Sequence, residues 1–283
     1  MHTSVSQAFY KFTVRFEGKV PFMYLDTQGY VTIGIGNKLD NVQEAQNLDF
    51  VYKTTKQPAA VAEIAAEYNY VQTRTDLMLT KRAGWAYDDV TSLCLEDPAL
   101  MAKFNHDLRS HAANVVSMNA EFHDFENWPA DAQLGLLSLT WAQGPNFNKW
   151  PKFRRACAVG DWYEAAKESH LDESKNRAGL RPRNVANEIL FRNAAELTGD
   201  DTVLYYPYVW DLGAGSELSK GSAGYEVGAA QTLLIYHGWD KLVADAEFGP
   251  KTEQAVIDFQ KHKSIAPTGT IDQQTWAALW TQP

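Results

Sequence analysis

The chain has 283 residues, room for one large domain or two smaller ones, and its 45% apolar and 22% charged residues read as globular and water-soluble. A formal charge of -9 argues against nucleic acid as a partner and disfavours non-specific attraction to anionic polymers. No apolar run approaches a membrane span, and Met1-His2-Thr3-Ser4-Val5-Ser6 has no basic region followed by an apolar one, so synthesis in the cytoplasm without a signal peptide and no membrane insertion are expected.

In chain order, Val5, Phe9, Phe12 and Phe16 recur at helical spacing and predict the buried stripe of a helix. Glu17 falls at its C-terminal end, just before Gly18. The negative helix end and the apolar surface of Phe16 and Phe22 both push a carboxyl there toward its protonated form. Asp26-Thr27-Gln28-Gly29 followed by Tyr30-Val31-Thr32-Ile33 predicts a turn feeding a strand, with Asp26 at the turn and Thr32 close to it. Gly34 and Gly36 leave room for a sugar ring or another backbone. Two carboxylates and a hydroxyl around one hairpin suit glycosidic cleavage: one carboxylic acid protonates the leaving oxygen, and the second handles a water or the developing cation. An exposed Glu at a helix end, an Asp in a turn and a Thr on a strand are also ordinary structural choices.

Pro58 to Tyr70 and Pro98 to Met118 predict further helices, as do Asp131 to Trp141, Phe153 to Cys157, Trp162 to Lys167 and Val185 to Leu197. His106, His111 and His123 have no companions at metal spacing and read as structural or exposed. Cys94 and Cys157 are too few for a disulfide framework and read as reduced core residues. Between Leu197 and Gly224 the composition turns aromatic (Tyr205, Tyr206, Tyr208, Trp210) and then small and polar, which predicts a linker whose aromatics pack onto a domain. Beyond it, Phe248-Gly249-x-x-Thr252 and Ile271-x-x-x-Thr275 repeat one idea, an apolar residue near a turn and then a Thr near a helix start. Ala255, Val256 and Phe259 make an apolar helical face.

The spacing of Glu17, Asp26 and Thr32, inside a Glu-Gly, Tyr-x-Asp-x-x-Gly-Tyr-x-Thr-Ile-Gly-x-Gly frame, resembles the phage-type lysozymes, the bacteriophage endolysin family that cuts peptidoglycan strands. Asn37 stands where that family usually has His. Gly160-Asp161-Trp162-Tyr163-Glu164-Ala165-Ala166 and Asn176-Arg177-Ala178-Gly179-Leu180 are similar to its C-terminal lobe, and Trp141-Ala142-Gln143-Gly144 replaces its usual Phe-Asn-x-Gly. From Gly224, the Val227 to Gln231 segment, Asp245 to Gln260 and Thr268 to Trp276 resemble the small helical peptidoglycan-binding domain often fused to wall hydrolases.

The resemblance implies an α+β, mainly α-helical fold: a lysozyme-like catalytic domain over 1–198 with a small β-hairpin lobe and inserted helices about 40–128, a linker over 199–222, and a three-helix peptidoglycan-binding domain over 223–283. It implies a muramidase cleaving the β-1,4 bond between N-acetylmuramic acid and N-acetylglucosamine, with Glu17 as general acid and Asp26 and Thr32 positioning water or stabilising the cation. The expected outcome is inversion, with carboxyls roughly 6.5 to 9.5 Å apart. Trp141 and Gln143 would line the cleft, core packing being the other role for Trp141. A basic residue would lie beside Glu17: Arg177, with Arg181 and Arg183 as competitors and a solvated helix-end charge as the plain alternative for each. No metal or organic cofactor is implied. The expected partner is the glycan strand, met by a monomer in the periplasm of a host or target cell. Delivery would fall to a holin for an endolysin, or to an injection machine, with an immunity protein, for an antibacterial effector. A lytic transglycosylase, a chitinase and a non-catalytic wall-binding protein are the rivals.

Overall fold

A computed structural model describes residues 1–78, 80, 83–174, 177–196, 199–206 and 216–279. The architecture is mainly α-helical α+β, and the chain divides into two compact units, Ala8–Ser110 and Met1–Gln7 with His111–Pro283.

The first unit is built on helix α1 (Thr3–Glu17) from Ala8 onward and a three-stranded antiparallel sheet, β1 (Val20–Leu25), β2 (Val31–Gly34) and β3 (Asn37–Lys38), in that order. Phe9 and Phe12 of α1 are buried, and Gly18 ends the helix at φ 71° with its N–H donating to Val14 O at 2.9 Å. A left-handed glycine after the last helical residue is a common stop signal and fixes Glu17 as that last residue. The predicted helices of residues 58–70 and 98–118 are α3 (Val61–Thr73) and α4 (Asp97–Met118). Between β3 and α4 also lie a short helix α2 (Val42–Gln46), a 3-10 segment Ala83–Val90, and the paired strands β4 (Val51–Tyr52) and β5 (Leu93–Cys94), none of which the sequence pattern announced. Phe22, Met23, Phe50, Tyr68 and Tyr87 form their common core.

Asn37 has a structural task. Its Oδ1 accepts the Ile35 N–H at 3.4 Å, and its Nδ2 donates to Asp107 Oδ2 at 2.7 Å. Asp107 also holds Lys103, which is 7% exposed and pairs with Glu44 as well. Burial pushes the Lys103 pKa down, but Asp107 and Glu44 more than offset it, so the net direction is up. The polar residue at this position thus ties β3 to α4 and α2.

In the second unit α5 (Ala130–Gln143) is buried through most of its length and packs on α8 (Arg177–Glu196), with α6 (Pro151–Ala158) and α7 (Trp162–Glu168) alongside. A Cβ at Gly135 would fall 2.8 Å from the Phe191 ring, so this crossing requires glycine. Helix α8 starts eight residues before the predicted Val185, running through Pro182. A proline inside a helical pattern reads as a boundary because it removes one backbone bond, yet buried Arg183 and Asn184 hold this turn by packing. Leu197 lies outside the described residues.

Helices α9 (Tyr225–Tyr236), α10 (Pro250–His262) and α11 (Gln273–Leu279) enclose Leu233, Val256, Phe259 and Trp276, and Val185 and Ile189 of α8 join the same core. The repeat here is a pair of buried amides. Gln231 Nε2 lies 3.0 Å from Thr252 Oγ1 and 3.1 Å from Glu247 O, while its Oε1 accepts the Ala246 N–H at 2.8 Å. Gln260 repeats this with Thr275 Oγ1 at 3.0 Å, Thr270 O at 2.8 Å and the Gly269 N–H at 2.9 Å. The turn residue has positive φ in both, 60° at Ala246 and 76° at Gly269.

Within residues 199–222, the backbone N–H groups of Tyr205 and Tyr206 donate to the Asp131 carboxylate, and Tyr206 packs on the C-terminal core. Tyr208 and Trp210 lie outside the described residues. Cys94 and Cys157 are both free and buried, and burial pushes the Cys157 thiol up.

Candidate active site

Glu17, Asp26 and Thr32 all belong to the Ala8–Ser110 unit. Glu17 is exposed at the end of α1 and Asp26 half-buried at the β1–β2 turn. The turn is knotted through Tyr30. Asp26 N–H donates to Tyr30 O at 3.0 Å, and Asp26 Oδ1 accepts from Gln28 N–H at 2.8 Å and Tyr30 N–H at 2.9 Å. The Thr32 hydroxyl donates to the same Tyr30 carbonyl at 3.1 Å, so one peptide fixes both residues. Gly29 makes the turn at φ 84°, the left-handed region that favours glycine. Both bonds to the Asp26 carboxylate go to Oδ1, which leaves Oδ2 outside the turn. Thr32 is 2% exposed and its hydroxyl proton is committed to Tyr30, so what it offers a neighbour is its oxygen as an acceptor.

Tyr24 links the three residues. It pairs directly with Thr32 across the β1–β2 ladder, which puts both side chains on one face. Its phenol is pushed up, first by burial and then by the negative charges of Glu17 and Asp26. Tyr24 is the first Tyr of the Tyr-x-Asp frame, to which the sequence assigned no role of its own.

Trp141, Gln143 and Arg177 belong to the other unit. Trp141 is half-buried with its ring 5.4 Å from that of His111, and Gln143 Nε2 donates to Gly144 O at 2.7 Å, where Gly144 caps α5 at φ 86°. Arg177 opens α8, but its side chain lies outside the described residues. Of its competitors, Arg181 donates to Asp245 O at 3.0 Å and pairs with Glu173, and Arg183 is 2% exposed and donates to Ser138 O at 2.9 Å. Arg181 is thus engaged with the C-terminal helices.

A concavity of about 600 Å³ lies in the C-terminal helices, lined by Trp239, Lys241, Lys251, Gln254 and Asp258 among others. Residues 223–279 match the family model of a peptidoglycan binding domain. The match covers α9, α10 and α11, so this part of the chain carries a peptidoglycan-binding domain, which supports peptidoglycan as a partner.

Proposed function

We propose that this wall-associated chain is a muramidase whose acid is Glu17. The observation that supports the reading is the hairpin itself: α1 ends on Glu17 directly before β1, and the β1–β2 turn fixes Asp26 and Thr32 through the same Tyr30 carbonyl. In the proposed cycle the Glu17 carboxyl gives its proton to the glycosidic oxygen as the bond from C1 breaks. Asp26 takes a proton from the water that attacks C1 on the opposite face, and the Thr32 oxygen accepts a hydrogen bond from that water. The anomeric centre inverts, and the products are a reducing muramic acid end and a free hydroxyl. Digestion of purified peptidoglycan by wild type, Glu17→Ala and Asp26→Ala, with products identified by mass spectrometry, tests it. Reducing muropeptides from wild type alone support the pair; activity retained in Glu17→Ala removes it.

One observation favours a second reading. Asp26 Oδ1 is spent on the turn, so Asp26 can be architectural, leaving Glu17 as a single acid-base of a lytic transglycosylase. Anhydro-muramic ends and an active Asp26→Asn would select it. With either chemistry the enzyme acts in the periplasm, as a phage endolysin or an injected antibacterial effector.

A further inference from the structure

We propose that the segment Ala83–Val90, which the lysozyme-like frame does not contain, adds a sugar subsite to the hairpin, with Trp85 as its aromatic platform. The proposal rests on the reading of the hairpin as a glycan-cleaving site and names where a further N-acetylated sugar of the strand is held.

Trp85 is 46% exposed, whereas Tyr87 two residues on is fully buried and donates its hydroxyl to Arg74 O at 2.8 Å. A single exposed apolar residue is ordinary; the anchoring and position of this one are what single it out. Lys53 Nζ donates to Asp88 O at 2.8 Å and to the Asp88 carboxylate at 2.9 Å, and sits 4.0 Å from the centre of the Phe22 ring. Phe22 in turn meets Trp85 in a T-shaped contact at 5.5 Å. The indole is therefore held against β1 through Phe22, while Lys53 anchors the segment that carries it.

Gly84 fixes the position. A Cβ there would fall 3.0 Å from the Tyr24 ring, so the backbone before Trp85 lies against the residue that pairs with Thr32 and stands two before Asp26. The C–H face of a pyranose ring is apolar with slightly positive hydrogens, and it complements the negative face of an indole. An adjacent subsite of this kind lengthens the strand held without touching the scissile bond.

The test uses the full chain. In a Glu17→Gln background, binding of N-acetylglucosamine hexamer and of uncrosslinked glycan strands is measured by calorimetry, with and without Trp85→Ala. In the Glu17 enzyme, kcat and KM are measured on the strands. Binding weakened about tenfold, and KM raised to match with kcat nearly unchanged, is the expected result, because a sugar held away from the bond contributes equally to ground and transition states. Trp85→Phe should lie between. Should Trp85→Ala fold poorly, the indole N–H resonance lost in Trp85→Phe must shift with hexamer in the parent. Unchanged binding, KM and resonance overturn the subsite even if wild type cleaves peptidoglycan. Trp85-dependent binding by a wild type that releases no fragments keeps the subsite and overturns the muramidase.

Discussion

The hairpin corner and the C-terminal helices both answer to short sequence frames, but the polar residues of the two frames do opposite work. Glu17 is exposed, and Asp26 keeps one carboxylate oxygen clear of its turn. Gln231, Thr252, Gln260 and Thr275 are buried and consume their hydrogen-bonding capacity inside the domain. A motif residue left at the surface can be reached by a polymer, whereas one saturated in the interior specifies the fold. The buried amides and hydroxyls of the peptidoglycan-binding frame therefore mark architecture.

The largest expected effect separates the two directly. Glu17→Gln should lower turnover on peptidoglycan by about 10²- to 10⁴-fold, the usual worth of a positioned general acid. Its melting temperature by calorimetry should stay near that of wild type, because the side chain is exposed. A variant that unfolds instead would place Glu17 with the architectural residues and erase the contrast. Gln260→Ala should do the reverse. It strips partners from Thr275, Thr270 and Gly269 in the interior, and should destabilise the C-terminal helices by about 2–4 kcal/mol in urea titration. Retention on sedimented peptidoglycan should fall with it, while cleavage of short soluble strands persists.

How much was legible follows the same line. The stripe Val5, Phe9, Phe12 ending at Glu17-Gly18, and the turn from Asp26 to Gly29, are local patterns that tertiary packing only had to confirm. The Phe248 and Ile271 repeat was visible, but not the glutamines behind it, because Gln231 and Gln260 lie far before the turns they brace. Residues 40–128 gave up their two longer helices by periodicity. Their remainder was not readable: β4 and β5 have two residues each and pair Val51 with Cys94, and the segment Ala83–Val90 has neither helical nor strand period. Trp85 is placed by these non-local contacts, which is why the sequence gives no sign of it beside the hairpin.

Asp26 tests whether one residue can stand on both sides of the contrast. Asp26→Asn keeps an Oδ1 for the Gln28 and Tyr30 N–H groups, so its stability should match wild type, while Asp26→Ala should lose about 1 kcal/mol with the turn bonds. Both should be inactive if the carboxylate takes the proton from water. Full activity in Asp26→Asn, read as muropeptides released with either reducing or anhydro-muramic ends, would make Asp26 architectural and hand the reaction to Glu17 alone.

The smallest effect concerns acid. His237 is packed between α9 and the end of α11, its Nε2 2.8 Å from Leu279 O and its ring against Phe259. Burial is the main influence lowering its pKa, the Leu279 carbonyl opposes it, and the charges of Lys263 and His262 add to the lowering. The unfolded chain therefore takes up this proton at higher pH than the folded one, so the contribution to stability is present above about pH 6.5 and is lost as pH falls through the lowered folded value. Unfolding of the C-terminal helices, followed by hydrogen exchange at Val256 and Phe259, should become easier on acidification, and His237→Gln should flatten that slope. The hairpin contains no histidine and should show no matching slope from this source. Equal acid sensitivity in both regions would mean that their stabilities are coupled, and the separation of chemistry from architecture would then have to be drawn within one cooperative unit.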